Sequence, residues 1–249
     1  MGLKTFIKKS FYNIKFIKKK NSQIKNHVIL ITGASSGIGL GLCRRLVDDN
    51  KIIAIYNNNE KNLKEIKSSN LTYLKCDLSN INNYQEIEKK IIENDIELVF
   101  NCAGQFGSGN QSIGDIDFDN FLNILKINSL SILKILQFIN NHNKMKYIKK
   151  IINISSDAGS IEMNNQGNAY IYRTSKSALN SISKNLSIDL QKKFKISVIT
   201  IDPGNVKSNM NNKGYLSPEK CSEYIVDIIS DNKDYNGAFI NLLKKKIPW

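Results

Sequence analysis

VILITGASSGIG, residues 28–39, is the stretch that decides the architecture. A short β-rich run, Val28–Thr32, leads straight into glycines at 33, 37 and 39, and a helical pattern follows over residues 38–49. Gly33 permits a tight exit from the strand. Gly37, between Ser35, Ser36 and Ile38, lets the backbone approach a pyrophosphate. Gly39 lets the helix pack closely on the sheet. A phosphate would face the helix N-terminus, where unpaired N–H groups and the helix dipole favour an anion. Three spaced glycines also describe an ordinary turn. Their place in the first strand–helix unit is what makes the dinucleotide reading specific.

Outward from this turn, short apolar runs alternate with longer helical patterns. Strands are predicted at 51–56, 71–76, 96–101, 151–155, 196–201 and 238–242. Helices are predicted at 84–93, 118–140, 175–191 and 217–230, the last opened by Ser217-Pro218. The strands show little polar alternation, which indicates a parallel sheet buried on both faces. The reading is an α/β fold: a doubly wound (Rossmann) parallel sheet with helices on both faces, forming one domain over residues 26–249. Phe121, Leu125, Leu136 and Ile139 cannot share one narrow stripe, so the 118–140 helix is expected to be covered on two sides.

Composition narrows the function. The 249 residues carry a formal charge of +14. Eight lysines and no acid lie in residues 1–25, which leaves +6 for the rest. Most of the excess therefore belongs to a leader, and no nucleic-acid partner is expected. On a helical wheel Leu3, Phe6, Ile7, Phe11, Ile14 and Ile17 fall within an arc of about 140°. A membrane-surface helix spanning residues 1–24, an organelle-targeting segment and a disordered or self-packing extension all fit this leader. Four scattered cysteines without a C-x-x-C pair suit a reduced, cytoplasmic protein. Two histidines give no zinc spacing, so no metal site is expected. No uncharged apolar run reaches 18 residues, so no transmembrane helix is expected.

T-G-x-x-x-G-I-G after the first strand resembles the short-chain dehydrogenase/reductase family in its compact branch, and the likeness runs from about residue 27 to 249. Tyr172-Arg-Thr-Ser-Lys176 supplies the Y-x-x-x-K pattern. On a helix these two residues lie one turn apart, where an ammonium favours the phenolate and lowers the tyrosine pKa. The resemblance implies hydride transfer between nicotinamide and a small carbonyl or alcohol. Tyr172 would move the proton, Lys176 would tune it and hold the nicotinamide ribose, and Ser156 would hold the substrate oxygen. Asn128 would position a relay water, or else be a satisfied core or kink asparagine. Ser155 and Ser160 compete with Ser156, because the gap to Tyr172 is longer than usual in the family. Tyr170 lacks a lysine four residues on and is read as lining the pocket. The stretch from Gly159 to Asn180 resembles the C-factor and sniffer-type carbonyl reductases.

Further segments extend the likeness. Asn101, Ala103 and Gly104 match the nucleotide-approach turn, with Cys102 assigned no chemistry. Asp77 and Leu78 match the adenine contact, or Asp77 caps a turn. Pro203, Gly204 and Val206, with Ser208, match the turn that supports the nicotinamide. At the end of the second strand, Asn57 and Asn58 stand where an acid would select NAD. Lys61 follows, so NADP(H) is favoured over NAD(H). The all-round apolar helix and the helix after Lys176 resemble the family's dimer interface, which implies a homodimer or homotetramer. A catalytically weak or inactive dinucleotide-binding regulator or scaffold is the alternative; the presence of both Tyr172 and Lys176 argues for the enzyme.

Overall fold

The computed structural model describes residues 24–249, so the apolar arc of the leader lies outside the described residues. The strands are β1 (Val28–Thr32), β2 (Lys51–Tyr56), β3 (Leu71–Lys75), β4 (Leu98–Asn101), β5 (Lys150–Ile154), β6 (Ser197–Asp202) and β7 (Phe239–Asn241). The helices are α1 (Gly37–Leu46), α2 (Lys61–Lys64), α3 (Gln85–Glu93), α4 (Phe118–Leu125), α5 (Ser131–Asn141), α6 (Tyr170–Phe194) and α7 (Pro218–Ile229). The strands form one parallel sheet in the order β3-β2-β1-β4-β5-β6-β7. Strand order reverses between β1 and β4. In open α/β sheets a ligand crevice opens there, beyond the strand carboxyl ends.

Strand β1 shows why both faces are covered. Ile29 and Ile31 enter a core built with α1 and α7, and Leu30 enters the opposite core with α3, α5 and α6. All three are fully buried, each contributing about 1.5–3 kcal/mol of transfer free energy. The absence of alternation in the sequence thus reflects two apolar layers rather than one.

Several boundaries differ from the pattern. Helix α1 stops at Leu46, β4 starts at Leu98, and the short α2 follows the asparagine turn. The long apolar helix is broken by a π turn at Lys126–Leu130. Phe118–Asn141 is long and apolar enough by length and composition to cross a membrane, against the expectation above, yet half of it is buried inside the domain. It packs on α3 and α6. Helix α6 begins at Tyr170, five residues earlier than its periodicity indicates. Tyr172 and Lys176 therefore share one helix.

Candidate active site

The crevice is built first by its floor. Thr32 Oγ1 donates to Asn101 Oδ1 (3.2 Å), and Asn101 Nδ2 donates to Asn153 Oδ1 (3.1 Å). Asn153 Nδ2 continues to Ser183 Oγ on α6 (2.9 Å). This fully buried ladder ties the ends of β1, β4 and β5 to α6. Buried amides are stable only when paired in this way. The Asn101 side chain is thereby committed to the strands. The Cys102 and Ala103 amides donate to Thr32 Oγ1 (3.1 Å each), which fixes the backbone of this segment at the edge of the crevice.

The glycine turn fits a dinucleotide. Gly33 has φ +66°, and a Cβ there would stand 2.8 Å from the Ala103 backbone. Gly37 has φ +53°, and the nearest atom to a Cβ there is Ser208 Cβ at 3.8 Å, so this side of the turn is open. The first turn of α1 carries neither a side-chain cap nor an acidic residue. Its N–H groups remain available to a phosphate.

Around the rim, Asn57 is half-buried and Asn58 exposed. Glu60 accepts from the Tyr56 hydroxyl (2.7 Å) and pairs with Lys64. Asn62 Nδ2 donates to Ser35 O (3.1 Å), which holds α2 against the glycine turn. Asp77 is exposed, and its carboxylate caps a turn through Ser79 N (2.9 Å) and Ser79 Oγ (2.8 Å). Leu78 is a buried core side chain, so a nucleotide could meet only its backbone. Beyond β6, Gly204 (φ +65°) follows Pro203. Val206 is buried and bridges to Leu216, which pins the loop that follows β6.

The reactive groups converge at the ends of β5 and α6. Ser156 stands beside the Tyr172 phenol and acts to lower its pKa. It also donates to Asp157 Oδ1 (3.1 Å) and accepts from Ala158 N (3.1 Å). Ser155 instead turns inward and donates to Asn180 Oδ1 (2.6 Å), while Ser160 is buried and accepts from Met163 N (3.2 Å). Of the three serines, the structure brings Ser156 to Tyr172. Tyr170 is exposed. The Phe106 ring lies 5.0 Å from that of Tyr172.

Lys176 is buried; its Nζ lies 5.9 Å from the Tyr172 ring centroid and donates to Ile154 O (2.9 Å). Asn128 sits in the π turn, fully buried. Its Oδ1 accepts from Gln105 N (2.8 Å), and its Nδ2 donates to Gln105 O and Ser175 Oγ (2.9 Å each). The kink reading of Asn128 thus describes its side chain, whose donors are both engaged. Its neighbourhood is still that of Lys176: a Cβ on Gly104 would stand 3.4 Å from Lys176 Nζ and 3.6 Å from Asn128 Oδ1.

Electrostatics correct one expectation. Burial pushes the Tyr172 phenol up to about 12, the Ser156 side chain works the other way, and Asp202 and Asp157 add to the rise. Burial also brings Lys176 down to about 8. The lysine does not lower the tyrosine here, because desolvation disfavours both charged forms and the ammonium points to a backbone carbonyl. Asp202, at the end of β6 and absent from the sequence reading, is raised to about 6 by burial and by Asp157. It accepts from Gly204 N (3.0 Å). Burial holds the Cys102 thiol well above its ordinary value, so no nucleophilic thiolate arises there. Among the described residues no group of three His, Cys, Asp or Glu could hold a metal ion.

This geometry can be set beside known proteins. The family model described as short chain dehydrogenase matches residues 27–217. The chain belongs to the short-chain dehydrogenase/reductase family. A 3-oxoacyl-acyl-carrier-protein reductase of Rickettsia prowazekii is 33% identical over 208 residues, covering 80% of each chain. The C-signal protein of Myxococcus xanthus is 26% identical over 156 residues, covering 62% of this chain and 93% of its own. The carbonyl reductase Sniffer of D. melanogaster superposes with a TM-score of 0.81 at 30% identity, covering 90% of this chain and all of its own. As a short-chain dehydrogenase/reductase of the C-factor and sniffer type, the protein is an NAD(P)-dependent oxidoreductase that binds a nicotinamide dinucleotide. The likeness shows no sign of the inactive alternative.

Proposed function

We propose that the protein is an NADP(H)-preferring reductase of small carbonyl compounds, with Tyr172 as proton donor. The observation that carries this reading is a protonated phenol beside Ser156 and one helical turn from a buried lysine. At neutral pH a phenol held near 12 stays protonated, which is the form that can give up a proton in reduction. The substrate oxygen binds between the Ser156 hydroxyl and the phenol. As negative charge grows on that oxygen, Ser156 stabilises it and Tyr172 gives it a proton. Lys176 is the buried cation from which the phenol is reloaded, and it holds the nicotinamide ribose. Asn128 keeps residues 104–105 against α6, beside that lysine. When bound, the nicotinamide supplies the hydride.

Gly33, Ser35, Ser36, Gly37, Ile38 and Gly39 hold the pyrophosphate, and Pro203, Gly204 and Val206 support the nicotinamide. The preference for NADP(H) rests on the second strand's end. Asn57 and Asn58 are neutral, and Glu60 is engaged by Tyr56 and Lys64. Lys61 makes no ion pair with a described residue and stands at the start of the helix that Asn62 clamps to the glycine turn. Fluorescence titration is expected to show NADPH binding about 10-fold more tightly than NADH, a difference of one charged contact. Tighter NADH binding would remove the preference. Carbonyl-dependent NADPH oxidation over aldehydes, ketones and quinones tests the activity itself.

The protein is further read as a homodimer. Phe118, Leu122, Leu130 and Leu133 are apolar and exposed on the segment from α4 to α5, and a second copy would cover them. Sedimentation as a monomer at micromolar concentration would contradict this. A cytoplasmic location rests on the scattered free cysteines, and peripheral membrane contact through residues 1–24 rests on the basic leader. Equal co-sedimentation with anionic liposomes with and without those residues would remove the contact.

A further inference from the structure

Helix α6 starts where local sequence gives it little help. Gly167, Asn168 and Ala169 precede it with φ of 62°, 57° and 50°. Asparagine tolerates this region, but Ala169 costs about 1–2 kcal/mol there. Ala169 occupies the cap position and has no side chain that can accept a hydrogen bond. The first N–H groups of a helix have no partner within it. Tyr170, Ile171 and Tyr172 are those residues.

The missing cap arrives from 61 residues away. Gln111, in the loop after β4, places Oε1 3.0 Å from Tyr172 N and accepts its proton. The Gln111 backbone carbonyl accepts from Tyr170 N (3.4 Å). Its Nε2 donates to Phe106 O (2.7 Å), and Phe106 is the residue whose ring lies against Tyr172. Gln111 is only 4% exposed. A buried amide with both ends engaged is a stiff connector, because leaving either end unpaired costs about 1–3 kcal/mol. Gly107 (φ +96°) makes room for it: a Cβ there would stand 3.1 Å from Gln111 Nε2.

We propose that Gln111 is a positioning residue for Tyr172: it caps the catalytic helix from a distant loop and, through Phe106, fixes the wall against which the phenol ring rests. This rests on the reading of Tyr172 as the proton donor. Two roles sit on two atoms. The amide oxygen sets the height of the first helical turn, and so the reach of the phenol to the substrate oxygen. The amide nitrogen sets the Phe106 side of the pocket. A misplacement of about 1 Å costs up to 10²-fold in rate.

Three proteins test it: wild type, Gln111→Met, which has a similar shape and neither hydrogen bond, and Gln111→Glu, which keeps the acceptor and loses the donor. Each is assayed for kcat and carbonyl KM, for NADPH affinity, and for hydrogen exchange at the 170–173 amides. Gln111→Met is expected to lower kcat about 10- to 30-fold, leave NADPH affinity within about 2-fold and speed exchange at the Tyr172 amide at least 10-fold. Gln111→Glu is expected to restore that protection and kcat to within about 3-fold, while carbonyl KM stays raised about 5-fold or more. Wild-type kcat and exchange in Gln111→Met would overturn the proposal. So would a fall in kcat with Tyr172 protection unchanged, or no recovery in Gln111→Glu. If Gln111→Met does not fold, the KM-against-kcat split in Gln111→Glu decides. If wild type reduces no carbonyl, the functional reading fails, and exchange at Tyr172 still decides the role of Gln111.

Discussion

Replacing Tyr172 by Phe is expected to lower carbonyl reduction by about 10³-fold, or about 4 kcal/mol of transition-state stabilisation. The change removes one oxygen. The ring, its contact with Phe106 and the helix that carries it persist. NADPH affinity should therefore stay within about 3-fold, which separates loss of the proton donor from loss of the site. The same proton path sets the pH dependence. Burial makes Lys176 give up its proton near 8, well below a free lysine. Reduction should be level below that pH and decline above it, as the amine that reloads the phenol becomes neutral. A pH–rate profile with no decline up to about pH 10, where a free lysine titrates, would contradict the role given to Lys176.

Gly33→Ala is the second large effect, and it acts on fold and ligand together. The residue adopts φ +66°, and an added Cβ would meet Ala103 Cα and N at 2.8 Å. Both neighbours are backbone, held by Thr32 and the ladder beneath it, so neither can swing aside. The left-handed conformation costs about 1–2 kcal/mol and the overlap about 1–3 more. A loss of about 2–5 kcal/mol should appear in urea unfolding. Dinucleotide binding should fall by at least 10-fold, because relief of the overlap separates the two loops that form the crevice. Wild-type stability with wild-type NADPH affinity would show that the two loops are not in contact.

What could be read from the sequence was what is local in the sequence. The glycine turn lies within one strand–helix unit, and Tyr172 and Lys176 lie four residues apart, so spacing alone puts them together. Apolar runs without alternation identified a sheet covered on both faces, and two cores lie there. The helix bearing Tyr172 starts five residues before its periodicity indicates because its cap comes from Gln111, 61 residues away. The ladder of Thr32, Asn101 and Asn153 joins residues 69 and 52 apart, which no periodicity reveals. Choosing among Ser155, Ser156 and Ser160 needed the direction each side chain takes at a strand end. With 34 asparagines in the chain, Asn128 carried little signal until the π turn gave it a place. The expected lowering of the Tyr172 pKa overlooked burial, which outweighs a lysine turned toward Ile154. A signal for Asp202 was present, since an acid directly before Pro203-Gly204 ends a buried strand.

The most direct test of the central claim is carbonyl-dependent consumption of NADPH by the wild-type chain. A graded panel of aldehydes, ketones and quinones is followed spectrophotometrically, with NADPH binding measured on the same preparation. Turnover with at least one carbonyl, with alcohol formed in step with NADPH consumed, is the result predicted by a protonated Tyr172 beside Ser156 and Lys176. Tight NADPH binding with no carbonyl reduced across the panel would contradict it, and would leave a dinucleotide-binding protein that does not turn over.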